Sequence, residues 1–279
     1  MDGFLLIDKD GKMTSFDVIR ILKRKLHTPS IGHAGTLDPF ATGLLIVGVN
    51  KATKLLSFVE SEVKEYIGVL RFGIDTDTLD LEGKVISEKD YSNLSITEIK
   101  ETMKTFLGKI SQIPPMYSAL KVDGKRLYEL ARNGIEIERK AREVMIEEFT
   151  YLDYQNGLLT FKVRCSKGTY VRTLANDLAH KLGTCGHLIS LRRTRIGNFN
   201  VLDAKKVNDI SEEDIVNVVT GLTLPKVVIS DEKLLKMVKN GMSVKLECNE
   251  EEVMLLDNER NLIAIYYRNG LYYKSKRGY

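Results

Sequence analysis

The sequence predicts a mixed α and β protein. Short apolar or alternating runs of strand length recur along the chain, capped amphipathic stretches lie between them, and brief strand-like runs fill the segment from about Lys226 onward. With 279 residues the chain has room for one large domain, or a large domain and a small one. At 43% hydrophobic and 29% charged it is composed like an ordinary globular protein, so a core forms without disulfide support. Cys165, Cys185 and Cys248 form no CxxC pair, which points away from zinc knuckles and disulfide frameworks and fits a reducing compartment. The early apolar run GFLLI stops at Asp8, too short for a leader or a membrane span, so the cytoplasm is the expected location. A net charge of +4 says little about partners; its distribution says more.

GFLLID (residues 3–8) reads as a short buried strand. In TSFDVIRILKRKLH, Thr14 and Asp17 have capping-box spacing, with Asp in place of the usual Glu. Val18, Leu22 and Leu26 share one helical face; Arg20, Lys23, Arg24 and Lys25 occupy the rest, most plainly a solvated face. LLIVGV (44–49) and KEYIGVLRFG (64–73) are strand candidates. DTDTLDLEGKVI invites comparison with a calcium loop, but its sixth position is Asp80 and its twelfth Ile86, where Gly and Glu are required. A strand, a polar turn and a returning strand are expected there, without metal.

SITEIKETMKTFLG (95–108) is a helix capped by Ser95 and Glu98, striped by Ile99, Met103 and Phe106, and ended by Gly108. Pro114 and Pro115 open a segment that interleaves Lys121, Lys125, Arg126 and Arg132 with Tyr117 and Tyr128. Cations beside aromatics suit RNA, although an amphipathic surface helix has the same look. LLTFKVRC (158–165) alternates Leu159, Phe161, Val163 and Cys165 with polar residues, as a half-buried strand does. A helix follows from about Val171 to Leu182, with Gly183 as its stop. In LRRTRIGNF (191–199), Arg192, Arg193 and Arg195 crowd together and are expected at the surface or facing a ligand.

Phosphate-loop, dinucleotide, zinc-protease and serine-elbow motifs are missing, and His27, His33, His180 and His187 have no metal-ligand spacing. A carboxylate is the natural remaining catalyst. GHAGTLDPFATG (32–43) singles one out, Asp38, among small neutral neighbours. Taken locally, Asp before Pro reads equally well as the start of a turn.

Six segments in order, GFLLIDKDGKMTSFDVIRILKR, GHAGTLDPFATGLLIVGVNKATK, FGIDTDTLDLEG, QIPPMYSALKVDGKRLYELAR, RCSKGTYVRTLANDLA and LRRTRIG, resemble the TruB family of bacterial tRNA pseudouridine-55 synthases over most of residues 3–200. The resemblance implies an α+β pseudouridine synthase fold: a central, mainly antiparallel mixed sheet flanked by helices, plus a small β-rich PUA-like C-terminal domain. It implies a catalytic domain over 1–225, with an insertion at about 114–142 that grips the tRNA T-loop, and a short RNA-binding domain over 226–279. The implied reaction breaks the N1–C1′ bond of uridine and joins C5 to C1′; no redox change occurs, so no cofactor and no metal are needed.

Asp38 is the implied catalytic carboxylate, with Gly35, Thr36 and Ala41 letting a sugar approach closely. Arg172 is its implied partner, offsetting the cost of desolvating the charge. A cation in a helix's first turn is poorly placed against the helix dipole, which favours a specific partner for it. Tyr170 is expected to pack under the ribose, Tyr66 to stack on the target base, Leu191 to complete the apolar wall, and His33 to fill the space the extruded base leaves. Lys121, Lys125, Arg126, Arg132, Arg192, Arg193 and Arg195 are expected along the RNA backbone. The implied partner is tRNA, held by its T stem-loop and its acceptor stem; a monomer with no membrane association and no obligate protein partner is expected. A base-removing glycosylase, a non-catalytic tRNA-folding module and a guide-RNA-dependent relative are the alternatives.

Overall fold

Side-chain alternation decides the central strands. In the segment Lys64–Phe72 every second residue is buried, and in Leu158–Cys165 the buried set is Leu159, Phe161, Val163 and Cys165. A pleated strand with one covered face has this period. The computed structural model of the chain describes residues 2–122 and 124–279. Its strands are β1 (Gly3–Lys9), β2 (Ile31–Ala34), β3 (Thr42–Val49), β4 (Lys64–Phe72), β5 (Ile74–Thr76), β6 (Val85–Glu88), β7 (Gly108–Gln112), β8 (Lys121–Val122), β9 (Lys125–Arg126), β10 (Arg142–Gln155), β11 (Leu158–Cys165), β12 (Gly186–Ile196) and β13 (Phe199–Asn200), before a strand-rich tail. The helices among them are α1 (Ser15–Lys25), α2 (Leu56–Ser61), α3 (Ile96–Lys104), α4 (Leu127–Arg132) and α5 (Val171–Lys181).

The large sheet runs β1-β3-β12-β4-β11-β10-β7, with β2 added on β3 and β13 on β12. Its pairs are antiparallel except β3 with β12. The expected mainly antiparallel mixed sheet is thus present. Helices α1, α3 and α5 cover one face through Val18, Leu22, Ile99, Met103, Leu174 and Leu178. Phe4, Leu6, Leu44 and Ile46 on the other face of β1 and β3 pack with Phe58 and Val59 of α2, so these two strands are apolar nearly throughout.

Both expected capping boxes are made: Thr14 with Asp17 at α1, and Ser95 with Glu98 at α3. Each satisfies backbone N–H groups that the first helical turn leaves without partners. The acidic stretch forms the β5–β6 pair around a polar turn, as expected.

One topological feature positions the site. On the edge of β3 away from β1, β2 pairs with the far half (Ile31 with Val49 to Ala34 with Ile46), while β12 takes the near end (Arg192 with Thr42, Arg193 with Gly43). The sheet forks there, and loop 35–41 emerges from the fork. Backbone carbonyls beside it lack ladder partners, and Arg193 supplies them: Nε donates to Leu44 O at 2.7 Å and Nη2 to Gly35 O at 2.9 Å. Arg193 is 1% exposed. The expectation of a surface or phosphate-facing arginine is therefore corrected: unpaired buried carbonyls cost more than ordering one long side chain, and the guanidinium answers them.

Beyond α6 (Val218–Gly221), the tail forms a second sheet, β14 (Lys226–Val228), β15 (Glu252–Leu256), β16 (Leu262–Asn269) and β17 (Tyr272–Gly278), in that order, with α7 (Glu232–Lys239) alongside. Ile229, Val238, Val253, Leu255 and Tyr266 form its own core, while Met254, Leu256 and Ile265 pack with Phe199 and Leu222. Among the described residues no helix is long and apolar enough to cross a membrane.

Candidate active site

Loop 35–41 owes its shape to its small residues and its proline. Gly35 has φ +67, a left-handed conformation that suits glycine. Asp38 then opens a turn in which the Ala41 N–H donates to Asp38 O at 3.1 Å, with Pro39 at the position whose φ the ring presets. The turn reading of Asp38–Pro39 is thus met, and the turn leaves the Asp38 side chain partly open. Two contacts fix the loop to its surroundings. The Leu37 N–H donates to Ser15 Oγ at 3.0 Å, in the first turn of α1. Lys9, 1% exposed, donates from Nζ to the carbonyls of Asp10 (2.8 Å), Met13 (2.7 Å) and Pro39 (3.3 Å). Burial pushes the Lys9 ammonium down to about 8, against the opposing pull of Asp38. Sequence reading missed Lys9, which looks like the frayed end of a strand.

Arg172 meets Asp38 with both prongs, Nε to Oδ2 at 2.9 Å and Nη2 to Oδ1 at 3.0 Å. Its remaining donors go to Thr78 O (2.7 Å), Tyr117 O (2.8 Å) and Asp80 Oδ2 (3.4 Å). The first-turn position that disfavours a cation is thus offset by carbonyls and carboxylates. Arg172 is 3% exposed, whereas the Asp38 side chain keeps 33% of its surface open. The cation is enclosed and the carboxylate faces outward.

Asp80, also unanticipated, is buried; burial pushes its carboxyl above the usual carboxylate range, opposed by the Thr78 hydroxyl at 2.6 Å and by Arg172. Leu79 before it holds φ +61, an uncommon conformation for a leucine, which turns Asp80 toward the guanidinium. The acidic turn DTDTLD was the available sign of Asp80. Tyr170, the residue preceding α5, is clasped by Gln112: its N–H donates to Oε1 at 2.8 Å and its carbonyl accepts from Nε2 at 3.1 Å. This clasp sets where α5 begins, and so where Arg172 points.

A cavity of about 820 Å³ opens over the pair. Asp38, Asp80 and Arg172 line it, with Ser15 and Phe16 from α1 and Tyr117, Tyr128 and Arg132 from the 114–142 segment. The Arg132 guanidinium lies 5.4 Å from the Tyr128 ring centroid. His33 lines the cavity too, with a buried Nδ1 that has no hydrogen-bond partner among the described residues. Burial, then Arg193, holds its pKa below the usual histidine value, so the ring is neutral at pH 7.

Tyr66, 7% exposed, and Leu191 are not among the residues lining this cavity. They belong to the same apolar cluster as Leu37 and Ala41, which flank the carboxylate in sequence. Burial raises the Tyr66 phenol further from the neutral range, so it stays protonated. Of the expected backbone-binding cations, Lys125 and Arg195 are exposed. Arg192 is held bidentately by Asp8 at 2.9 and 3.2 Å. The side chains of Lys121 and Arg126 lie outside the described residues. Among the described residues no group of His, Cys, Asp and Glu could hold a metal ion.

The arrangement offers a partly open carboxylate, Asp38, lining a polar and aromatic cavity and backed by an enclosed cation. Such a group can attack an electrophilic carbon or accept a proton. The sequence matches the family model described as TruB family pseudouridylate synthase, N-terminal domain, over residues 23–171, and that of the tRNA pseudouridylate synthase B C-terminal domain over 172–235. Two similar relatives are each named tRNA pseudouridine synthase B. That of Clostridium tetani is 39% identical, covering 100% of this chain and 98% of its own length. That of Lactobacillus acidophilus is 40% identical, covering 98% and 97%. Among solved structures, a Cbf5-Nop10-Gar1 complex matches with a TM-score of 0.77 at 23% identity, covering 99% of this chain and 84% of that one. At that identity the likeness speaks for the fold alone.

Proposed function

This chain belongs to the TruB family of pseudouridylate synthases, and from that premise we propose that it isomerises uridine 55 in the TΨC loop of tRNA to pseudouridine. The observation that carries the reading is the Asp38–Arg172 pair, a half-open carboxylate on an enclosed guanidinium, both lining the cavity. Asp38 acts on the ribose, either attacking it or taking a proton from it; the N1–C1′ bond breaks, the uracil turns, and C5 bonds to C1′. C5 gives up its proton and N1 gains one, so the RNA keeps its mass and no redox partner is required. Arg172 orients the carboxylate and keeps a positive charge behind it.

The target uridine reaches Asp38 by leaving its stack, at a cost of about a few kcal/mol. His33 takes the vacated place, offering a neutral ring. Tyr117, Tyr128 and Arg132 of the insertion grip the T-loop, with Lys125 and Arg195 on phosphates. Tyr66 supports the base from the apolar cluster, with Leu191 beside it, and Tyr170 packs under the ribose. Residues 226–279 form a short PUA-like domain that reaches toward the acceptor stem. The enzyme works as a cytoplasmic monomer on tRNA without an obligate protein partner, and assists tRNA folding. Incubation with an unmodified tRNA transcript, followed by chemical mapping, tests this: pseudouridine should appear at position 55. Release of free uracil would assign the protein to the glycosylases instead.

A further inference from the structure

Phe16 is an aromatic side chain that lies outside the hydrophobic core. It occupies the first turn of α1, yet that helix buries Ser15, Val18, Ile19 and Leu22 and is capped by Thr14 and Asp17. The ring is 64% exposed. Its position relative to the carboxylate is fixed, because the neighbouring Ser15 accepts the hydrogen bond from Leu37, the residue before Asp38. Phe16 lines the cavity that holds Asp38. Arg20, one helical turn on, places its guanidinium 5.9 Å from the ring centroid and is itself held by Asp17 at 3.1 Å. From the insertion, Tyr128 and Arg132 line the same cavity, again with ring and cation four residues apart, here at 5.4 Å.

We infer that Phe16, backed by Arg20, is a stacking shelf for a nucleobase next to the target nucleotide. Resting on the RNA substrate proposed above, it adds a binding subsite at the rim of the active site. The chemistry of the shelf selects its occupant. A largely exposed ring with a cation over it suits a flat π-system attached to a phosphate. A solvent-exposed phenyl ring beside a catalytic cavity gains most by covering such a surface. The ring lies outside the core, so replacing it leaves the fold and the α1 cap in place.

Equilibrium binding of a fluorescently labelled, unmodified T stem-loop RNA to the full-length protein tests the shelf. Phe16→Ala and Phe16→Leu should each weaken binding on the order of tenfold, and Phe16→Tyr should restore it, since stacking needs a ring and not merely apolar bulk. Abasic substitution at one nucleotide flanking the target should cost the wild type a similar factor and cost Phe16→Ala nothing more. Binding by Phe16→Leu equal to that of the wild type, or abasic losses that simply add to that of Phe16→Ala, would overturn the inference while leaving the proposed substrate standing. A wild-type protein that fails to bind the RNA overturns both.

Discussion

Arg172 and Asp38 meet as two parallel prongs, at 2.9 and 3.0 Å, with the arginine enclosed and the aspartate half open. A flexible side chain held at both oxygens by a fully occupied guanidinium has little freedom left to lose when a substrate arrives. Asp38→Asn keeps the shape and removes the charge. Pseudouridine formation on a tRNA transcript should fall to background while tRNA affinity, measured by filter binding, persists. Substantial residual turnover would refute the assigned role.

Replacing the other partner has a double effect. Arg172→Met frees Asp38 to rotate, and displacement of a reacting group by about 1 Å costs about 100-fold in rate. It also leaves the buried Asp80 carboxylate without its cation, a loss of about 3–5 kcal/mol. Single-turnover rates should drop much further than tRNA affinity, and the urea midpoint should fall with them. A defect confined to binding would contradict the pairing.

Lys9 predicts a pH dependence. Its ammonium, depressed to about 8, has a donor for each of the Asp10, Met13 and Pro39 carbonyls, whereas the neutral amine has one fewer; the longest contact, to Pro39 O at 3.3 Å, should weaken first, so turnover should fall as pH rises through about 8. Stability moves the opposite way. Between about 8 and the ordinary 10.5 the unfolded chain binds the proton and the folded one does not, so this residue's contribution grows with rising pH and is lost as pH falls through 8. The alkaline limb of the rate profile should disappear in Lys9→Met, whose activity is lower throughout. An unchanged alkaline limb in that variant would assign the titration elsewhere.

Neighbouring arginines should separate by assay. Arg193→Met strands Leu44 O and Gly35 O and should destabilise the fold by about 2 kcal/mol or more in urea denaturation. The salt slope of its RNA binding should not change. Arg195→Ala, at an exposed position, should leave stability alone and lower that slope by about 1.

The helices were legible because their signals are local: Thr14 with Asp17 and Ser95 with Glu98 each specify a start within one turn. Alternation in Leu158–Cys165 likewise carries its own burial pattern. Asp38 stood out for its setting and Arg172 through the family resemblance. Arg193, Lys9 and Asp80 did not stand out as buried groups, since all or part of what each answers lies far off in the chain. Arg193 serves carbonyls at 35 and 44, Lys9 one at 39, and Asp80 a guanidinium at 172. A charge judged by its sequence neighbours looks solvated; only the fork of the sheet and the crossing of α5 create the vacancies these groups fill. Sheet order hides for the same reason, because the β3–β12 pairing joins segments distant in sequence.

The fork also sets terms for anyone recombining this enzyme with its relatives. Strand β3 is shared between β2 and β12, and Arg193 reaches from the last of these back to Gly35. A chimera with a crossover inside 31–49 would join halves whose ladders were matched to different partners. Grafts that transfer Ile31–Val49 whole, together with the stretch around Arg193, preserve the joinery; shorter transplants bring Asp38 without the frame that aims it.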